Sequence, residues 1–266
     1  MCEVIEVQLE WKYSPENYFE EFIPINGKGF DLSISNGIVT AKIEPLFHSE
    51  NPDIKKNLTN LIENRFLTVQ VMSHKDFTLS KPSRSDLRKD GGKNVFAEAE
   101  FSCISILSMS ADVITQDKDG KIVSSTKHDR LDKQKCFAEK LDKYRDIDST
   151  LGHILKSYQM AVKDPGNELI HLFEILDAFL GRFGKEKDAI NQLGTTKSEW
   201  DAIARLSNHE PIEEGRHRGQ HAGKLRKAEK NELERARKAA LNLIEKYLQY
   251  LEVEQTISEK NTKGLI

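Results

Sequence analysis

Residues 207–223 read Ser-Asn-His-Glu-Pro-Ile-Glu-Glu-Gly-Arg-His-Arg-Gly-Gln-His-Ala-Gly. From Arg216 to Lys230 the chain holds six basic residues (Arg216, Arg218, Lys224, Arg226, Lys227 and Lys230), the histidines His217 and His221, and a single acid, Glu229. The protein as a whole has a formal net charge of −3, so this is its strongest local positive field. Gly215, Gly219 and Gly223 allow backbone to come close to a ligand. Three of the eight histidines, His209, His217 and His221, fall within thirteen residues.

Three chemistries are open to such a stretch. His217 and His221, four apart, could face one metal ion from a helix. The flanking arginines would repel a cation, however, and no carboxylate or cysteine completes a set with familiar spacing, so neither a metal nor another cofactor is expected. A second reading is a solvated basic turn whose arginines cap helix ends or pair with Glu213 and Glu214. The third is phosphate chemistry. A permanently charged arginine clamps a phosphate and stabilises the charge that builds up on it, and a histidine titrates close enough to neutrality to give or take a proton. Breaking RNA without a metal needs little more, because the ribose 2′-OH supplies the nucleophile; DNA has no such hydroxyl.

The segment Arg216-His217-Arg218-Gly219-Gln220-His221 resembles the Arg-polar-x-x-x-His signature of the HEPN superfamily, and its place between two helices of a small bundle is similar too. The resemblance covers roughly Ser149 to Glu254. It implies an all-helical, often dimeric domain, and a metal-independent endoribonuclease of the kind found in toxin–antitoxin, anti-phage and CRISPR-linked systems. A strand-rich half before such a domain resembles the ApeA-type arrangement. Carried over by position, Arg216 would bind and polarise the scissile phosphate. His221 would be the general acid or base, and His217 the polar residue that orients one of them. One motif per chain implies a homodimer with a composite cleft, RNA as ligand, and a partner protein or antitoxin as a further candidate. Arg218, Lys224, Arg226 and Lys227 are the expected RNA-binding residues around it. The same resemblance also admits a non-catalytic module that dimerises and binds nucleic acid, a nucleotide or a partner. The open, glycine-containing loop departs from a regular helix and bears on the aim of His221.

The elements that must hold this loop divide by period. Up to about residue 126 the period is two. Ile5, Val7, Leu9, Trp11 and Tyr13 alternate with polar residues, as do Phe30, Leu32 and Ile34. Asn36-Gly37 then predicts a tight hairpin leading into Val39, Ala41 and Ile43. Asn51-Pro52 predicts the start of a helix with Ile54, Leu58, Leu61 and Ile62 on one stripe, after which Leu67, Val69 and Val71 predict a strand. Residues 74–94 read as a solvated loop or a basic arm. Strands are predicted again at Val95–Leu107 and Ala111–Thr115, with Asp119-Gly120 turning into Ile122 and Val123.

After Thr126 the period becomes 3.6. A connecting helical segment at 127–148 leads to a bundle over 149–255 and a flexible tail over 256–266. Leu151, Ile154, Leu155 and Tyr158 mark one helix. Leu169, Leu172, Phe173, Leu176, Phe179, Leu180 and Phe183 mark a second, ended by Gly184. Its stripe is wide enough to predict burial against a second subunit as well. Thr196-Lys197-Ser198-Glu199 is a capping box ahead of a third helix. The last is predicted from about Lys227 to Glu254. His171 reads as a packing or interface histidine; His48, His74, His128 and His153 show no partners in sequence. Asn208 and His209 could line the cleft or serve as turn formers.

The chain is therefore expected to be α+β: a strand-rich N-terminal domain over 1–126, followed by an all-α, HEPN-like helical bundle. Its 266 residues are 38% hydrophobic and 31% charged, which fits a globular protein rather than a disordered one. No apolar run reaches the roughly 18 residues that a membrane span needs. Acids stand where a signal peptide would carry Lys or Arg, and Cys2, Cys103 and Cys136 have no CxxC spacing, so a reducing, cytoplasmic setting is predicted.

Overall fold

The computed structural model describes residues 3–96, 114–116 and 122–263. It is an α+β protein in two compact units. The first takes in the described residues up to 69 and from 77 to 129; the second, residues 70–76 and those from 130 on. Cys2, Cys103 and the predicted Asp119-Gly120 turn lie outside the described residues, as do most of the strands predicted over 95–107 and 111–115.

The first unit is built on β1 (Val4–Ser14), whose alternation buries Val7, Leu9, Trp11 and Tyr13 on one face. Its neighbours are β2 (Ile23–Gly27), β3 (Phe30–Ser35), β4 (Ile38–Ile43), β5 (Thr78–Leu79), β6 (Ser83–Arg88) and β7 (Lys93–Phe96). Together they form a seven-stranded sheet of order β2-β3-β4-β1-β6-β7, with β5 on the end of β1. Every pairing is antiparallel. Asn36 and Gly37 join β3 to β4 with φ of 48° and 79°, the two positive angles that a two-residue hairpin of this twist requires. A further hairpin, β8 (Ile114–Gln116) and β9 (Ile122–Ser125), precedes the helices.

One short helix, α1 (Pro45–Glu50), is unannounced in the sequence; α2 (Ile54–Ser73) follows it. Ile54, Leu58, Ile62, Phe66 and Val69 of α2 pack with the inward side chains of β1, β3 and β4 as one core. The strand expected at Leu67, Val69 and Val71 is instead the end of α2. Leu67-Thr68-Val69-Gln70-Val71 alternates apolar and polar residues like a strand, but Thr68 and Gln70 are buried along with their neighbours, so the alternation does not mark a wet face. Residues 74–94 are likewise not a loop. Ser83–Arg88 lies beside β1 with Leu9 opposite Arg84, and Arg84 forks onto Asp86 two residues on at 2.7 and 2.9 Å. Its charges are paired along one strand face, which in sequence looks like solvated polarity.

The second unit is helical: α3 (Thr126–Tyr144), α4 (Ser149–Lys163), α5 (Glu168–Phe183), α6 (Glu186–Leu193), α7 (Lys197–Asn208) and α8 (Lys230–Lys263). Only the first residues of α3 belong to the other unit. Gly184 ends α5 at φ 87°, and the short helix α6 after it has no counterpart among the sequence-based expectations. The capping box forms as spelled: Glu199 N–H donates to Thr196 Oγ1 at 3.2 Å and Thr196 N–H to Glu199 Oε2 at 3.3 Å. Asn242 of α8 donates to the other Glu199 oxygen at 3.1 Å, which ties the cap to the last helix. α8 continues through Lys263, past the point where the tail was expected to fray.

The apolar stripe of α5 has its explanation within one chain. Leu169, Leu172, Ile175, Leu176 and Phe179 are fully buried by the helices of their own unit. α5 is the central helix of the bundle, so its width no longer argues for a second subunit.

Candidate functional site

The stretch that carries the motif is a loop pinned at its base. Ile212, buried, forms a parallel bridge with Arg226. Glu213 N–H donates to the Arg226 carbonyl and Arg226 N–H to that of Pro211, both at 2.9 Å. Above the bridge, Arg216 N–H donates to the Ser207 carbonyl at the end of α7 at 2.8 Å. Gly215 makes this approach available: a Cβ there would stand 3.2 Å from the Ser207 and Ile212 carbonyl oxygens and 3.4 Å from that of Leu206. The loop's fixed end is thus welded to α7, and the motif begins at the weld.

Arg216 lies across α5. Its guanidinium carbon is 4.3 Å from the centroid of the Phe173 ring, a cation–π placement, and Nη1 donates to Asp177 Oδ2 at 3.4 Å. Nε and Nη2 donate to no described group. Burial and the neighbouring charge of Glu174 push the Asp177 carboxyl above the usual carboxylate range; Arg216 pulls it down, and the net direction is up.

His217 precedes a single 3₁₀ turn over Arg218–His221, in which Gln220 N–H donates to the His217 carbonyl at 3.0 Å. His217 is exposed and His221 half-buried, and neither ring has a hydrogen-bond partner among the described residues. Because the turn is 3₁₀ and not α-helical, the two histidines do not stack one α-turn apart as a helical metal pair would. Among the described residues no group of three or more His, Cys, Asp or Glu is placed to hold a metal. No hydrogen bond links Arg216 with either histidine among the described residues.

Of the other five basic residues, Lys230 lies 3.8 Å from Glu234, and the remaining four divide in two. Arg218 is built into the scaffold: it donates to the Gly215 carbonyl at 3.1 Å, to that of Gly166 at 2.9 Å, and to Asn167 Oδ1. Arg226 forks onto Glu232 at 2.7 and 2.8 Å, with Glu210 3.7 Å away. Lys224 and Lys227 are exposed with no ion pair among the described residues. The positive field is therefore narrower than the sequence suggested. Arg216, Lys224 and Lys227 carry it, with Glu214 turned inward to accept from Ala228 N–H at 3.0 Å. His209 caps the C-terminus of α7, and Asn208 beside it has a buried Oδ1 without a hydrogen bond.

Residues that sequence reasoning passed over complete the surroundings. Phe173 and Asp177 sit one turn apart on α5, a spacing legible once a helix is assigned, but nothing in sequence points them at residue 216. His74, which shows no partners in sequence, has them in the fold: Nδ1 is 3.4 Å from Tyr158 Oη and Nε2 is 3.6 Å from Glu168 Oε1. Glu168, 1% exposed, accepts a fork from Arg237 at 2.6 and 2.7 Å. His171 lies in an open groove of about 810 Å³ between α4 and α5, with Glu174 at 3.3 Å and Asp164 at 3.5 Å. Cys136 is exposed and unpaired. No described helix is long and apolar enough to cross a membrane.

Against known proteins, the chain matches no protein-family model, no curated protein and no solved structure.

Proposed function

We propose that the helical unit is a metal-independent endoribonuclease of HEPN type that cleaves RNA by attack of the 2′-OH, acting as an effector in a defence or toxin–antitoxin setting. The observation that carries this reading is the arrangement of the Arg216–His221 loop. Its base is pinned, its arginine presents unused N–H donors on an aromatic shelf, and its two histidines are committed to no structural bond. An arginine so placed stabilises the charge of a phosphate in its transition state, and a loop histidine moves the protons. One motif per chain makes a composite cleft of two chains the arrangement proposed here, with the helical units as the dimerising parts. The N-terminal unit would dock, sense or restrain.

The test is cleavage of labelled RNA by the full-length protein in EDTA. Cleavage is expected to persist and to leave 2′,3′-cyclic phosphate and 5′-hydroxyl ends, since those are the products of 2′-OH attack. A requirement for Mg²⁺, or 5′-phosphate ends, would assign the activity to a metal-dependent nuclease and remove Arg216 and His221 from it.

A second reading, a binding module without catalysis, is favoured by one observation: Arg216 already contacts Asp177, and no hydrogen bond joins it to His221. In either case Lys224 and Lys227 are the expected flanking phosphate ligands, with Arg218 and Arg226 held by their own chain. Neutralising Lys224 and Lys227 together should flatten the salt dependence of RNA binding by about one unit of slope for each lysine that meets a phosphate. Arg226→Gln should leave that slope unchanged. Equal slopes for all three proteins would show that the RNA lies elsewhere.

A further inference from the structure

Three arginines of the helical unit meet carboxylates in different ways. Arg237 on Glu168 and Arg226 on Glu232 are forks, with both bonds between 2.6 and 2.8 Å. The first carboxylate is almost fully buried, and the second is anchored further by the Glu229 N–H at 2.8 Å. Arg216 on Asp177 is a single contact at 3.4 Å, with the Arg216 side chain 37% exposed and that of Asp177 48% exposed. Charge-assisted pairs settle near 2.7–2.9 Å when nothing opposes them. The Arg216–Asp177 contact is longer than that, and Asp177 makes no second bond to the guanidinium. The arginine's backbone, by contrast, is fixed by the Ser207 carbonyl and by the close approach at Gly215. What results is a firmly based cation whose flat face rests on Phe173, with one donor loosely occupied and the rest of its fork open.

We propose that Asp177 occupies the phosphate seat of Arg216, so that the carboxylate stands in for the anion and a phosphodiester must displace it to bind. The proposal rests on Arg216 being the phosphate-binding residue of the function proposed above, and it adds the class of ligand the seat accepts. A lone phosphate competes with a tethered carboxylate for one arginine and gains little. A phosphodiester chain brings neighbouring phosphates within reach of Lys224 and Lys227, whose charges are unused, and so gains what the exchange requires. Asp177 therefore lowers the affinity of every phosphate ligand by a common factor, and a strand that also reaches the lysines binds in spite of it. A solvent-exposed carboxylate–arginine contact is worth up to about fivefold in an equilibrium, and loss of the carboxylate charge beside the seat adds to that.

The experiment is a titration of full-length protein with inorganic phosphate, read at the Arg216 Nε–H resonance, which is assigned by its loss in Arg216→Ala. Asp177→Asn is expected to tighten phosphate binding about 3- to 10-fold over wild type, and to tighten binding of a short oligoribonucleotide by a similar factor. Unchanged or weaker phosphate binding in Asp177→Asn would overturn the proposal. If that variant does not fold, wild type suffices, because phosphate must shift the Asp177 carboxyl carbon together with Arg216 Nε–H. A carboxyl signal that stays still while Arg216 responds is equally fatal. Tighter phosphate binding without RNA cleavage in any variant would leave the seat standing and remove the nuclease. Cleavage with no competition by Asp177 would do the reverse.

Discussion

His221→Ala is expected to bind RNA as wild type does and to lose turnover by on the order of 10² or more, the usual cost of removing a positioned acid or base. Arg216→Ala should do more. It faces the phosphate whose charge changes, so binding weakens and turnover falls together. His217→Ala should fall between wild type and His221→Ala, since a residue that orients a proton carrier is partly replaced by water. The comparison is informative because the scaffold around these side chains does not depend on them. Neither ring has a hydrogen-bond partner among the described residues, and the loop is held by main-chain bonds and by Arg218 and Arg226. Loss of activity in His221→Ala therefore cannot be traced to a collapsed loop, which a wild-type melting temperature would confirm. Normal turnover in purified His221→Ala would make the motif a coincidence within a basic binding surface.

The same loop shows what a sequence can and cannot disclose. The hexapeptide and its flanking lysines are local, and their types and spacing are legible. The groups that decide what each arginine does are not. Asp177 is 39 residues from Arg216, and Asn167 is 51 from Arg218. Only packing of the turn before α5 and the face of α5 against the loop brings them together. Hence Arg218 and Arg226 look in sequence like phosphate ligands, whereas both are used up by the fold. Elements follow the same logic. β1 is readable because one of its faces is wet, and the α7 cap is readable because Thr196 and Glu199 are three residues apart. The end of α2 is not, because buried Thr68 and Gln70 alternate with Leu67, Val69 and Val71 and imitate a strand with one wet face. β6 is not, because Arg84 and Asp86 neutralise each other within one strand. The wide stripe of α5 is legible as burial, but sequence does not say whose atoms bury it; α4, α6, α7 and α8 do.

Arg237→Met is expected to destabilise the helical unit by about 3–5 kcal/mol, because it strands the Glu168 carboxylate inside the protein. Glu168 is 1% exposed, and its remaining partner among the described residues is His74 at 3.6 Å. The double variant Glu168→Gln/Arg237→Met should recover much of the loss, since no unpaired charge remains; urea unfolding gives both values. A cost below about 1 kcal/mol for the single change would mean that water reaches Glu168. The same cluster fixes a pH dependence. Burial holds the His74 imidazole down at about 4, against the pull of Glu168 and with a further push from Arg237. Its ordinary value is 6.5, so between those limits the unfolded chain binds a proton that the native protein does not. Stability from this group is then complete above about pH 6.5 and is lost as pH falls toward 4. The full difference corresponds to about 3 kcal/mol, and partial exposure of the ring brings the expected loss nearer 2 kcal/mol. Carboxylates such as Glu199, held at about 2 by its bonds from Thr195 and Asn242, also lose stability in acid, so wild type alone does not isolate His74. His74→Asn does. Asparagine tolerates the left-handed backbone at this position, where φ is 52°, and has no proton to gain. Wild type should lose about 2 kcal/mol more than His74→Asn between pH 6.5 and 4. Parallel stability curves for the two proteins would show that His74 is charged in the folded state, as a partner of Glu168 and not a neutral acceptor for the Tyr158 hydroxyl.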